Sequence, residues 1–71
     1  MTLFADTLKK YLETKNTTIY TISKISGVDR TMIQHMKVGK RMPANIADVI
    51  AIAKAMMLNP SETAELLRAY H

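Results

Sequence analysis

The 71-residue chain has no cysteine, no tryptophan, a single phenylalanine, two glycines and two prolines. Without cysteine there is neither a disulfide framework nor a thiolate metal site, which suits a reducing cytoplasm, the expected location. The two histidines, His35 and His71, stand half a chain apart and lack the short spacing of a metal-ligand pair. No long hydrophobic run is present. The longest, Val49 to Leu58, is interrupted by Lys54, is too short to span a bilayer and lies mid-chain, where no signal peptide stands, so no membrane association is expected. Repeats and low-complexity tracts are also missing. Chemistry is scarce too: no carboxylate pair beside a histidine, no Gly-rich phosphate loop and no nucleophile with a base in reach, which makes an enzyme the weakest expectation.

What remains is a chain that is 48% hydrophobic with a net charge of +4, too ordinary in both respects for disorder. Its length fits one domain, residues 1–71, and a chain this short buries only about 60% of its unfolded surface. A buried cofactor pocket is not expected, and neither cofactor nor metal is assigned. The charge is unevenly placed. Between residues 24 and 41, Lys24, Arg30, Lys37, Lys40 and Arg41 face a single Asp29, while the cations and anions elsewhere cancel. The whole positive excess therefore lies in one segment, as expected of a localised anionic footprint, with a solvated surface face as the alternative.

Gly27, Gly39, Pro43 and Pro60 punctuate the chain, and the apolar residues between them recur at helical intervals, predicting an all-α bundle of five short helices. The first, about Leu3 to Lys15, places Phe4, Leu8, Tyr11 and Leu12 on one face and an Asp6–Lys10 pair on the other. The second follows Thr18 as N-cap, ends at Gly27 and is expected to bury Ile19, Ile22, Ile25 and Ser26. The fourth, capped by Asn45 with Asp48 at N3, is expected to turn Ile46, Val49, Ile50, Ala53, Met56 and Met57 inward. The fifth has Asn59 as N-cap, Pro60 at N1 and Glu62 at N3, and presents Leu66, Leu67 and Tyr70. Tyr11, Tyr20 and Tyr70 are expected to cover core edges. Met42 stands exposed in the loop after the third helix.

The third helix, residues 30–38, is the informative one. Gly27 suits the left-handed residue that ends the second helix, Asp29 caps the third, and Val28 can pack on Ile33 as a hydrophobic staple. Two helices joined this tightly form a helix-turn-helix. At 100° per residue, Met32, Ile33 and Met36 share one arc, leaving Arg30, Thr31, Gln34, His35 and Val38 opposite. Arg, Thr, Gln and His can pair with base edges: Arg with guanine O6 and N7, Gln with adenine N6 and N7, Thr with thymine.

From Ile19 to Val38 the sequence resembles the helix-turn-helix of the phage repressor and Cro-like family, also called the xenobiotic-response-element type, through Ile22, Ser23, Gly27, Val28, Ile33 and Met36. "VGKRMP", Val38 to Pro43, resembles that family's Gly-Lys-Arg-x-Pro exit loop, and "AIAKAM", Ala51 to Met56, its fourth helix, so the likeness covers nearly the whole chain. It implies a lambda-repressor-like fold, with Arg30, Thr31, Gln34 and His35 facing bases and Thr18, Lys40 and Arg41 gripping phosphates; Thr17 beside Thr18, and Lys24 and Lys37 of the basic segment, are the further phosphate candidates. Two positions depart from the pattern. Ile19 replaces a phosphate-donating Gln, and Ser23 replaces an Ala where the helices touch, an exchange that asks its hydroxyl to bond back to the helix.

The function expected is sequence-specific binding of double-stranded DNA by a transcriptional regulator, of repressor type, acting as a homodimer because one such helix reads too few base pairs. Leu66, Leu67 and Tyr70 are the expected dimer surface. The chain stops at His71 without a C-cap, which leaves room for a further C-terminal domain or a protein partner. The alternative is a protein–protein interaction module of antitoxin or anti-repressor type, which would share the core without needing Arg30, Gln34 or the basic segment.

Overall fold

The computed structural model describes residues 3–71 as five helices, with no strand among them: α1 Leu3–Thr14, α2 Ile19–Ser26, α3 Arg30–Lys37, α4 Ile46–Ala55 and α5 Pro60–Tyr70. Helix α4 packs on α2 and α5, and α1 packs on α3 and α5, around one cluster that includes Phe4, Leu8, Ile22, Ile33, Met36, Val49, Ile52 and Leu66. The radius of gyration is 10.3 Å, against about 11 Å for a packed chain of this length. No helix among the described residues is long and apolar enough to cross a membrane.

The helix ends obey local chemistry. Thr18, Asp29, Asn45 and Asn59 cap α2, α3, α4 and α5 by accepting from backbone N–H groups two or three residues on, and Asn59 with Glu62 completes a reciprocal capping box. Left-handed residues follow α1 to α4 at Asn16, Gly27, Gly39 and Met57. Only Met57 is costly there, because its Cβ crowds the carbonyl that follows.

Which flank of each helix is buried departs from the periodicity in two places. In α2, Ile22 is fully buried and Ile19 half-buried, but Ile25 is 64% exposed and Ser26 only half-buried. Spacing by three drifts about 60° per step, so Ile19 and Ile25 fall on opposite flanks of Ile22, and the core lies on the Ile19 side. In α4 the buried residues are Val49, Ile52, Ala53 and Ala55, with Met56 at its C-cap, whereas Ile46, Ile50 and Met57 are exposed. The helix is turned toward Ile52, where α2 and α5 lie, and the other flank stays outside.

At the seam between α1 and α5, Lys15 Nζ stands 3.0 Å from Glu62 Oε1, and Glu65 accepts from both Lys10 and the Tyr11 hydroxyl. The pair expected along α1, Asp6 with Lys10, gives way to this cross-helix contact, in which one carboxylate serves two donors. The backbone N–H of Asn59 and then Lys15 hold the Glu62 carboxyl below the usual carboxylate range, and Lys10 and then Tyr11 do the same for Glu65. Lys10 and Tyr11 are raised in turn, chiefly by their hydrogen bonds to Glu65.

Depressed carboxyls mean that the folded chain binds fewer protons than the unfolded one. Their stabilisation is present above about pH 4.3 and is lost as pH falls through the lower folded values. Raised Lys10 and Tyr11 act at the other end, their contribution being present below about pH 10 and lost as pH rises further. The melting temperature is expected to fall at both extremes, with Glu65→Gln flattening both limbs. Superimposable pH profiles for the two proteins would mean that this seam contributes nothing.

Candidate functional site

The corner between α2 and α3, residues 27–29, is braced by its own polar groups. Gly27, at φ 79°, donates its N–H to the Ser23 carbonyl, which ends α2 in the left-handed conformation. Ser23 Oγ donates to the Val28 carbonyl at 2.7 Å, and Val28 N–H donates to Ser26 Oγ at 3.1 Å. Ser23 thus bonds forward across the corner and not back to its helix. The Asp29 carboxylate accepts from Thr31 N at 3.0 Å and Met32 N at 3.3 Å, and Val28 packs against the cluster that holds Ile33. Ser23→Ala is therefore expected to cost about 1 kcal/mol, read as a lower urea midpoint with unchanged slope; an unchanged midpoint would show that the bond adds nothing.

This corner sets the rotation of α3. Ile33 and Met36 are fully buried and Met32 half-buried, so Arg30, Thr31 and Gln34 are exposed along the opposite side with Val38, while His35 is half-buried at its margin. A shallow cleft brings Arg30, Thr31 and Gln34 against Ile19 at the start of α2. Past α3 the loop folds back, Lys40 and Arg41 both donating their backbone N–H to the His35 carbonyl, at 2.9 and 3.3 Å. Their exposed side chains therefore stand beside the last turn of α3. Met42 is exposed after them and Pro43 buried.

Of the other residues assigned to phosphates, Thr17, Thr18 and Lys37 line a second cleft with Ile19, where α1 meets the start of α2. Thr18 accepts from the Thr21 N–H and its hydroxyl donates to Thr21 Oγ1, 3.1 Å away. The proton left for an outside acceptor is consequently that of Thr21, which sequence reasoning passed over. Lys24 is exposed on α2. Among the described residues, none of Lys24, Arg30, Lys37, Lys40 and Arg41 has a carboxylate partner, since Asp29 is engaged in capping. The basic segment is thus presented unneutralised.

Two expectations need correction. Tyr20 does not cover the core; it is 58% exposed, with the Lys24 ammonium 5.8 Å from its ring centroid. Burying Ile22 puts Tyr20 and Lys24 on the outer side of α2, a placement that rotation from Ile22 alone could have indicated. Leu66 cannot serve a dimer surface, because it is fully buried. Leu67 and Tyr70 pack partly on the same cluster, Tyr70 meeting Phe4 edge-on at 6.4 Å. Exposed apolar side chains lie instead on α4, at Ile46 and Ile50, and in the turn after it at Met57, which is 84% exposed. No group of His, Cys, Asp or Glu among the described residues is placed to hold a metal ion. No family model, no curated protein and no solved structure matches the chain.

Proposed function

We propose that this chain is a sequence-specific double-stranded DNA-binding module of a transcriptional regulator, with α2 and α3 as a helix-turn-helix of the phage repressor and Cro-like kind. One observation carries the reading: the exposed side of α3 bears Arg30, Thr31 and Gln34 with no acidic residue among them, and four further cations without carboxylate partners, Lys24, Lys37, Lys40 and Arg41, flank it. In this reading α2 lies across the phosphate backbone and holds α3 in the major groove. Arg30, Thr31, Gln34 and the half-buried His35 select bases, while Lys24, Lys37, Lys40, Arg41 and the Thr17–Thr18 segment that leads into α2, with Thr21 supplying the free hydroxyl proton, grip phosphates. The chain regulates by occupancy and performs no chemistry. It acts as a homodimer on half-sites about one helical turn apart, with Leu67 and Tyr70 of α5 left as the part of the expected dimer surface that retains exposure.

The first test is binding to random duplex at low salt, followed by selection from randomised duplexes; no association at low salt would overturn the reading. Changing Lys40 and Arg41 together to Ala is expected to reduce the slope of log affinity against log salt by up to about 1.8, two contacts' worth. An unchanged slope would remove both from the phosphate contacts. A second reading, a protein-binding module, is favoured by the exposed apolar residues Ile46 and Ile50 on α4 and Met57 in the turn after it. It predicts that the low-salt duplex experiment gives no binding.

A further inference from the structure

Tyr20 is an aromatic side chain that the fold does not use. It stands outside the buried cluster, is 58% exposed, and its hydroxyl has no hydrogen-bond partner among the described residues. It shares a cleft with Ser23, Lys24, Asp29 and Arg30, which opens between α2 and the first turn of α3. Lys24 sits one turn further along α2, its ammonium within cation–π range of the ring. The cleft therefore joins an exposed phenol to two cations without carboxylate partners, one of them the residue assigned to base recognition. Phenols with an apolar body and a polar tip are suited to interfaces that are part dry and part wet. Two cations against the one carboxylate of Asp29, itself engaged in capping, leave the cleft net positive, which favours an anionic occupant beside Tyr20 and Arg30.

We infer that the Tyr20 hydroxyl is an uncharged donor to the DNA backbone, contacting a phosphate next to the base pair that Arg30 reads and so setting the register of α3 in the groove. The inference rests on the DNA-binding reading above. It has a signature separate from that of the cations. A neutral donor contributes affinity without displacing counterions, so its removal weakens binding at every salt concentration alike, whereas loss of a lysine changes the salt slope.

The experiment compares the full chain with Tyr20→Phe, Tyr20→Ala and Lys24→Ala on a selected duplex and a random one across a salt series, after melting curves show that each variant folds. Tyr20→Phe is expected to bind both duplexes roughly three- to tenfold more weakly with its salt slope intact. Tyr20→Ala should lose at least as much on both, and Lys24→Ala should lower the slope by about 0.9. Equal affinity of Tyr20→Phe and the parent on both duplexes overturns the inference and leaves the DNA reading standing. A loss confined to the selected duplex also overturns it, since the phenol would then read a base. Failure of the parent chain to bind random duplex at low salt overturns the DNA reading itself, and the inference with it.

Discussion

Replacing Ile33 by Ala is expected to lower the melting temperature by at least about 10 °C, while replacing its neighbour Gln34 by Ala leaves it nearly unchanged. Ile33 is fully buried beneath α3, within the cluster shared with α1, α2, α4 and α5. Truncating it removes buried methyl groups and leaves a cavity, a change that costs about 2–5 kcal/mol. A domain of this size has only about 4–10 kcal/mol in total, and each kcal/mol shifts the midpoint by about 4–8 °C. Gln34 is exposed and caps nothing, so its loss should lie within about 0.5 kcal/mol. The two residues are adjacent in sequence, and their contrast measures the rotation of α3 directly. Similar destabilisation by both would mean that the polar side of α3 is packed, and the proposed reading face would not exist.

The second large effect is on recognition. Arg30→Ala is expected to weaken binding to a selected duplex by about 1–3 kcal/mol while leaving binding to random duplex and the melting temperature nearly intact. Arg30 is exposed in the first turn of α3 and has no carboxylate partner among the described residues, so little of the fold depends on it. Arg30→Lys separates the two ways in which it could act. Lysine keeps the charge but lacks the planar fork that grips guanine O6 and N7, so a base-reading Arg30 loses most of its discrimination in this variant. Equal losses on selected and random sequences in Arg30→Ala, recovered by Arg30→Lys, would make Arg30 a phosphate contact instead.

These two experiments bear on features that were plain from the residues. The caps at Thr18, Asp29, Asn45 and Asn59 and the corner at Gly27 are set by groups within a few residues of one another, and all of them form as the side-chain chemistry indicates. The burial of Ile33 and Met36 was equally legible, because α3 has one short apolar arc set against polar residues and only one rotation satisfies it. Where a helix offered two plausible apolar flanks, periodicity could not choose. In α2 the choice lay between the Ile19 and Ile25 sides of Ile22, and in α4 between Ile52 and the Ile46–Ile50 side.

Local order was therefore decided within the sequence itself: where each helix begins and ends, and which side of α3 faces out. Tertiary structure alone decided the exposure of Ile25 and Ile50, the full burial of Leu66, and the choice of Glu65 over Asp6 as partner to Lys10. The physical reason is range. A cap or a tight corner is satisfied by atoms two to five residues away, whereas a helix with apolar residues around much of its circumference is oriented only by the neighbours that arrive from elsewhere in the chain.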